Sequence, residues 1–183
     1  MSDLNYGDTF HLKVWGVGMG PTSGARGYLA LDESGALTTT DPEASWKFES
    51  PIGKTGVVEV LDIVNIVYAG PNQKYQSCYL QGAAEATTPS ITAVSDDGKS
   101  DKNLQWDIAL QTNQSGPVTD DQYIMLSCCS HPVNIAGGNA TGAFLVDEGS
   151  AAGNRVGTRQ IGNAGVGADT WWQLCGLTPS PAP

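Results

Sequence analysis

Two acidic residues close short apolar runs in this 183-residue chain. Asp32 ends Gly27-Tyr28-Leu29-Ala30-Leu31, and Asp147 ends Gly142-Ala143-Phe144-Leu145-Val146. An ionised carboxylate accepts hydrogen bonds and donates none, so an acid beside an aromatic face and an amide can hold a neutral, hydroxyl-rich ligand. Trp15 and Tyr68 are candidate faces. So is one of Trp171 and Trp172, because adjacent strand residues point to opposite sides and one of the pair is expected in solvent or in a pocket. Asn154 and Asn163 are candidate amides. The corresponding place in the middle of the chain is Gln81-Gly82, which lacks an acid, so one or two sites are expected rather than three. An Asp at a strand end also has a simpler use, which is to cap its own turn.

Other chemistries find less support. The segment Ser95-Asp96-Asp97-Gly98-Lys99-Ser100-Asp101 gathers carboxylates around a glycine. It lacks the alternating Asp register and closing Glu of a calcium loop, and is expected to be a hairpin turn. Cys78, Cys128, Cys129 and Cys175 match no zinc spacing. They read as small buried hydrophobes, or as one disulfide from Cys78 or Cys175 to one of the adjacent pair. His11 lies in an early strand and His131 precedes Pro132, neither within a nucleophile motif. The glycine-rich stretch from Gly162 to Gly167 follows no strand-to-helix pattern and is expected to be a loop. These residues predict a binding protein, not an enzyme, with no cofactor and no metal.

The charge balance narrows the partners. Nine Lys and Arg stand against nineteen Asp and Glu, a net charge of −10. Nucleic acid needs a basic stripe to displace its counterions, and the chain has none. An anionic membrane surface is disfavoured for the same reason, which leaves glycans, glycoproteins and basic protein surfaces. The apolar run from Val57 to Ala69 is broken by Glu59, Asp62 and Asn65, so membrane insertion is not expected. The first residues carry no basic and apolar leader, which predicts a soluble protein, cytoplasmic or secreted without a visible signal peptide. With 40% hydrophobic and only 15% charged residues, 23 Gly and 10 Pro, the composition suits short strands and tight loops.

Tryptophan marks three repeats. Trp46-Lys47-Phe48, Trp106-Asp107-Ile108 and Trp172-Gln173-Leu174 share one form, Trp and an apolar residue on one strand face with a polar residue between. Upstream of each lies an aromatic–leucine pair: Tyr28-Leu29, Tyr79-Leu80 and Phe144-Leu145. Strands are predicted at about 8–16, 27–32, 36–40, 45–50, 60–69, 77–81, 90–95, 104–110, 121–128, 143–147, 155–161 and 170–175. Twelve short strands in three four-strand units are the layout of a β-trefoil, in which six strands close a barrel and six cap it. The predicted domain is 1–177, with repeats at about 6–52, 57–112 and 118–177 and a disordered tail at 178–183. Trp46, Trp106 and one of Trp171 and Trp172 are expected to fill the core.

The stretch from Gly27 to Leu37, echoed from Gly142 to Glu148, resembles the second and third strands of fascin-like and ricin-B-like trefoils. It departs from the ricin type because no repeat carries Gln-x-Trp; the nearest form is Leu104-Gln105-Trp106. The resemblance implies a lectin-like module in which Asp32 and Asp147 grip sugar hydroxyls. It also admits a protein-binding trefoil: a fascin-like actin binder, a protease inhibitor acting through the loop from Val17 to Arg26, or the receptor-binding component of a toxin.

Overall fold

The computed structural model describes residues 1–14, 27–40, 44–82, 88–94, 96–109, 115–130, 143–148, 155–160 and 170–181. Twelve strands fall in the expected segments: β1 (Thr9–Val14), β2 (Tyr28–Leu31), β3 (Leu37–Thr40), β4 (Trp46–Glu49), β5 (Ile63–Tyr68), β6 (Tyr79–Gln81), β7 (Ser90–Thr92), β8 (Gln105–Ala109), β9 (Tyr123–Cys128), β10 (Ala143–Asp147), β11 (Val156–Gln160) and β12 (Trp172–Thr178). Two 3-10 turns, Gln73–Tyr75 and Asp96–Ser100, complete the described elements. Among the described residues no helix is long and apolar enough to cross a membrane.

Strand pairing explains why three repeats are needed. Antiparallel pairs run β1–β4, β4–β5, β5–β8, β8–β9, β9–β12 and β12–β1, a closed ring of six. The hairpins β2–β3, β6–β7 and β10–β11 hang from β1, β5 and β9 and form the cap. This is a β-trefoil. Closure leaves the barrel strands without a free edge. One expectation needs correction: Asp96–Ser100 is a 3-10 turn on the return from cap to barrel, not a hairpin turn. It joins β7 to β8, which do not pair, and Asn65 Nδ2 pins it by donating to Lys99 O at 3.2 Å and Leu104 O at 2.9 Å.

The repeat tryptophans set the register. Trp46, Trp106 and Trp172 are all fully buried. Each indole Nε1 donates to a leucine carbonyl of its own cap hairpin: Leu29 O at 2.9 Å, Leu80 O at 3.0 Å and Leu145 O at 3.0 Å. Burying one indole removes roughly 200 Å² from water, on the order of 5 kcal/mol at about 25 cal/mol per Å². The bond to the hairpin adds direction, because it fixes which residue of the hairpin meets the barrel. Along β1 the alternation places Phe10, Leu12 and Val14 inside, with Phe10 edge-on to Phe48 at 4.6 Å. All four cysteines are free thiols, with Cys78 and Cys128 buried.

The pseudo-threefold axis is tied by backbone. Leu4 N donates to Val118 O, Val118 N to Val58 O, and Val58 N to Leu4 O, each at 2.8 Å. Each of these segments then enters its first strand through one turn. Side chains of Asp8, Asp62 and Gln122 accept from the amides of Asn5, Glu59 and Thr119 at 2.8, 2.8 and 2.9 Å. The turn needs a left-handed residue just before that side chain, and finds Gly7 (φ 91°), Leu61 (φ 71°) and Asp121 (φ 63°). Glycine adopts that conformation freely, whereas leucine pays about 1–2 kcal/mol in crowding. The tail also differs from expectation in its first residues. Thr178 still belongs to β12, and Ser180 N donates to Asp8 Oδ1 at 2.8 Å.

Candidate functional site

The cap hairpin of repeat one and the loop after β5 of repeat two enclose a hollow of about 210 Å³. Its walls include Asp32, Glu33, Tyr68 and Asn72, with Ala30, Leu31, Ala44 and Pro71 as the apolar part. Two residues singled out in the sequence, Asp32 and Tyr68, thus meet although they belong to different repeats.

Asp32 is exposed and organises the turn from Asp32 to Ala36. Its Oδ1 accepts from Ser34 Oγ at 2.6 Å, Ser34 N at 2.8 Å and Ala36 N at 2.9 Å. The Ser34 hydroxyl first, then the Ala36 amide, hold the carboxyl below the usual carboxylate range. The acid therefore caps its own turn and stays ionised at neutral pH. All three of these bonds fall on Oδ1, so capping and ligand binding can be divided between the two oxygens. The turn itself rests on repeat two. Gly35 (φ 87°) lies against Tyr75 so closely that a Cβ there would fall 2.5 Å from the phenol oxygen.

Tyr68 is 3% exposed, and its ring packs edge-on to Trp46 at 5.5 Å. It therefore presents its hydroxyl end to the hollow rather than a stacking face. The hydroxyl accepts from Asn72 N at 3.3 Å, which leaves its own proton free to donate. Asn72 is the amide that the sequence did not single out. Its Oδ1 accepts from Lys74 N at 3.1 Å and starts the 3-10 turn, so its amide nitrogen keeps two donors for a ligand. The signal was the Gly70-Pro71-Asn72 turn, legible as a turn but not as a site.

Asp147 differs. It is 2% exposed, and its Oδ1 accepts from Thr39 Oγ1 of repeat one at 3.3 Å, joining two cap hairpins. The tryptophan bonds align Leu29 with Leu145, so Asp147 corresponds to Leu31, and Glu148 corresponds to Asp32. The backbone agrees: Asp32 N donates to Ala36 O, and Glu148 N to Arg155 O across the equivalent hairpin. A slip of one residue moves a strand side chain to the opposite face, which is why Asp147 points inward. Glu148 is exposed, and its carboxylate lies over Gly157, where a Cβ would fall 2.5 Å from Oε1.

Neither tryptophan of the adjacent pair is exposed, which corrects a further expectation. Trp172 fills the core, and Trp171, 4% exposed, packs with Met125, Phe144 and Val146 on the other side of the wall. A second apolar layer replaces solvent there. Trp15, Arg26 and the loop before it, His131, Asn154, Asn163 and the stretch from Gly162 to Gly167 lie outside the described residues. His11 is bound into the fold, with Nδ1 2.9 Å from Ala44 O and its ring edge-on to Tyr28. Among the described residues no three metal-binding side chains converge.

No protein-family model matches the chain, and no curated protein does. Solved structures share its fold. An SDF2-like protein from Arabidopsis thaliana superposes with a TM-score of 0.59 at 13% identity, over 98% of both chains. The designed threefold-symmetric protein ThreeFoil gives 0.52 at 12% identity, over 92% of this chain and 99% of that one. The protein O-mannosyltransferase Pmt1-Pmt2 complex of S. cerevisiae, solved bound to the sugar donor, gives 0.61 at 16% identity, over 99% of this chain and 26% of the other. At these identities the likeness shows the fold alone.

Proposed function

We propose that this trefoil is a non-enzymatic carbohydrate-binding module whose principal site is the hollow between the Asp32 turn and the Tyr68–Asn72 segment. The observation that carries the reading is the convergence of a fixed carboxylate, a phenol hydroxyl and an amide on one hollow with an apolar wall. Hydroxyls of a sugar ring donate to Asp32 and Glu33 and accept from Tyr68 and Asn72, while the ring's C–H face covers Leu31 and Pro71. The fold likeness to part of a sugar-transferring complex supports this class of ligand. Glu148 gives repeat three an acid at the equivalent position, and a second site there is part of the same proposal.

A glycan array with purified protein tests it. Asp32→Ala and Asn72→Ala are each expected to lower binding at least tenfold while the variants stay folded by circular dichroism. Asp147→Ala serves as a contrast, expected to lower thermal stability and leave residual glycan affinity in its folded fraction. A blank array at high protein concentration refutes the reading.

A further inference from the structure

Two hollows lie on the outer barrel wall, one between repeats two and three and one between repeats one and two, and they share Ile63 and Gln105. The first, about 300 Å³, is lined by Lys102, Asp107, Ser127, Cys128 and Cys129 besides the shared pair. The second, about 280 Å³, includes Tyr6, Ile52, Lys54, Leu61 and Asp62. Together they make one groove, which shares no lining residue with the hollow at the Asp32 turn.

Asp107 breaks the internal symmetry. It follows Trp106 as Lys47 follows Trp46 and Gln173 follows Trp172. Lys47 is paired with Glu49 at 2.7 Å, and Gln173 Nε2 reaches Asp121 Oδ1 at 3.5 Å. Asp107 Oδ1 is buried with no hydrogen-bond partner among the described residues. The cross-strand neighbours differ in the same sense. Lys47 faces Val67, which is sealed beneath Tyr79 and Leu104, whereas Asp107 faces Ser127 and opens on the hollow. A buried acceptor without a donor costs free energy unless something supplies the donor.

The other end of the groove is apolar. Among the described residues five large hydrophobic side chains are exposed, and three of them line this groove: Ile52 at 88%, Leu61 at 68% and Ile63 at 46%. Leu61 holds a left-handed position that repeat one gives to Gly7, so it is strained and yet unburied. Strain of that kind without a packing reward points to a role outside the monomer.

We propose that this groove docks a segment of a protein partner, one that sets a lysine or arginine side chain against Asp107 and an aliphatic side chain against Ile52, Leu61 and Ile63. The charge of the occupant follows from complementarity. The chain carries −10, and Asp107 brings a carboxyl to the lining of the hollow. The cations already present do not satisfy it. Lys102 sits exposed on the rim and forms no ion pair with Asp107 among the described residues, and Lys54 is held by Asp62 at 2.8 Å.

A positional-scanning library of capped hexapeptides, read by fluorescence polarisation, tests the proposal. Selection of Lys or Arg at one position and Leu, Ile or Val at another is expected. The selected peptide should bind at least tenfold more weakly to Asp107→Asn and at least threefold more weakly to Leu61→Gly. Glycine already occupies the equivalent turn at Gly7, so the second variant keeps the fold. Asp32→Ala should leave peptide binding unchanged, which separates this result from the glycan reading. Absence of residue preference, preference for acidic peptides, or equal affinity in both groove variants overturns the proposal. So does a dimer in sedimentation that both variants abolish, which would give the groove to a second copy of the chain.

Discussion

The indole N–H of each repeat tryptophan finds a leucine carbonyl across the cap, so each of these side chains both fills space and reads position. Asp107, one residue after Trp106, leaves its Oδ1 without a comparable partner among the described residues. Burial lifts its carboxyl above the usual carboxylate range. The unfolded chain therefore gives up this proton at a lower pH than the folded one, near the ordinary Asp value of about 3.9. The sign follows: this residue erodes stability as pH rises from about 4 through its folded pKa. Asp107→Asn removes the erosion. Thermal melts across pH 3 to 7 are expected to show no advantage of the variant at the acid end and a growing one toward neutrality. A pH-independent difference contradicts this account. Asp62 behaves oppositely. Desolvation raises its carboxyl, but Lys54, the Glu59 amide and Tyr6 outweigh that and hold it below the usual range. Its contribution is present above about pH 4 and is lost in acid.

At the scale of the element, the candidate site depends on how the turn after β2 sits on repeat two. Gly35 combines φ 87° with contact to Tyr75, so Gly35→Ala is strained by backbone and by crowding together. The expected cost is about 2–3 kcal/mol in urea unfolding. Because the turn carries Asp32, glycan affinity is expected to fall with it, and titration calorimetry of the folded variant checks that. Unchanged affinity would detach the site from this turn. The same element shows what the sequence did and did not disclose. Matching Asp32 to Asp147 by acid identity shifts the hairpins by one residue, whereas the pairs Tyr28-Leu29 and Phe144-Leu145 already carried the true register. Leucine was the better guide because its carbonyl is read by tryptophan, while an acid at a strand end is read by nothing. Asn72 stayed hidden for a different reason: its place opposite Asp32 arises only when repeats one and two meet.

For the whole molecule, the three tryptophans and the turn signals were enough to predict twelve strands and a trefoil, because periodic burial is a property of the chain itself. The groove beside Asp107 was not legible, since it depends on which symmetric wall positions are left unfilled. The backbone ring of Leu4, Val58 and Val118 makes a further demand on the whole chain. Deleting residues 1–5 removes two of its three bonds and the buried Leu4 side chain, 1% exposed. The expected loss is about 4–5 kcal/mol, from a leucine-sized cavity and two orphaned backbone groups. Urea unfolding followed by tryptophan fluorescence should remain a single transition at a lower midpoint; two separate transitions would show that the repeats stand independently. The ring also sets a timetable. During synthesis its first member leaves the ribosome more than a hundred residues before its third, and at about 5–20 residues per second that gap lasts roughly 6–23 s. β1 meets β4 early in that interval, but its edge toward β12 stays unpaired beyond it, until residues 172–178 emerge. The newborn chain is thus most exposed to clipping and misassociation before its last repeat arrives, and the circular closure that protects the finished protein is the step that makes it wait.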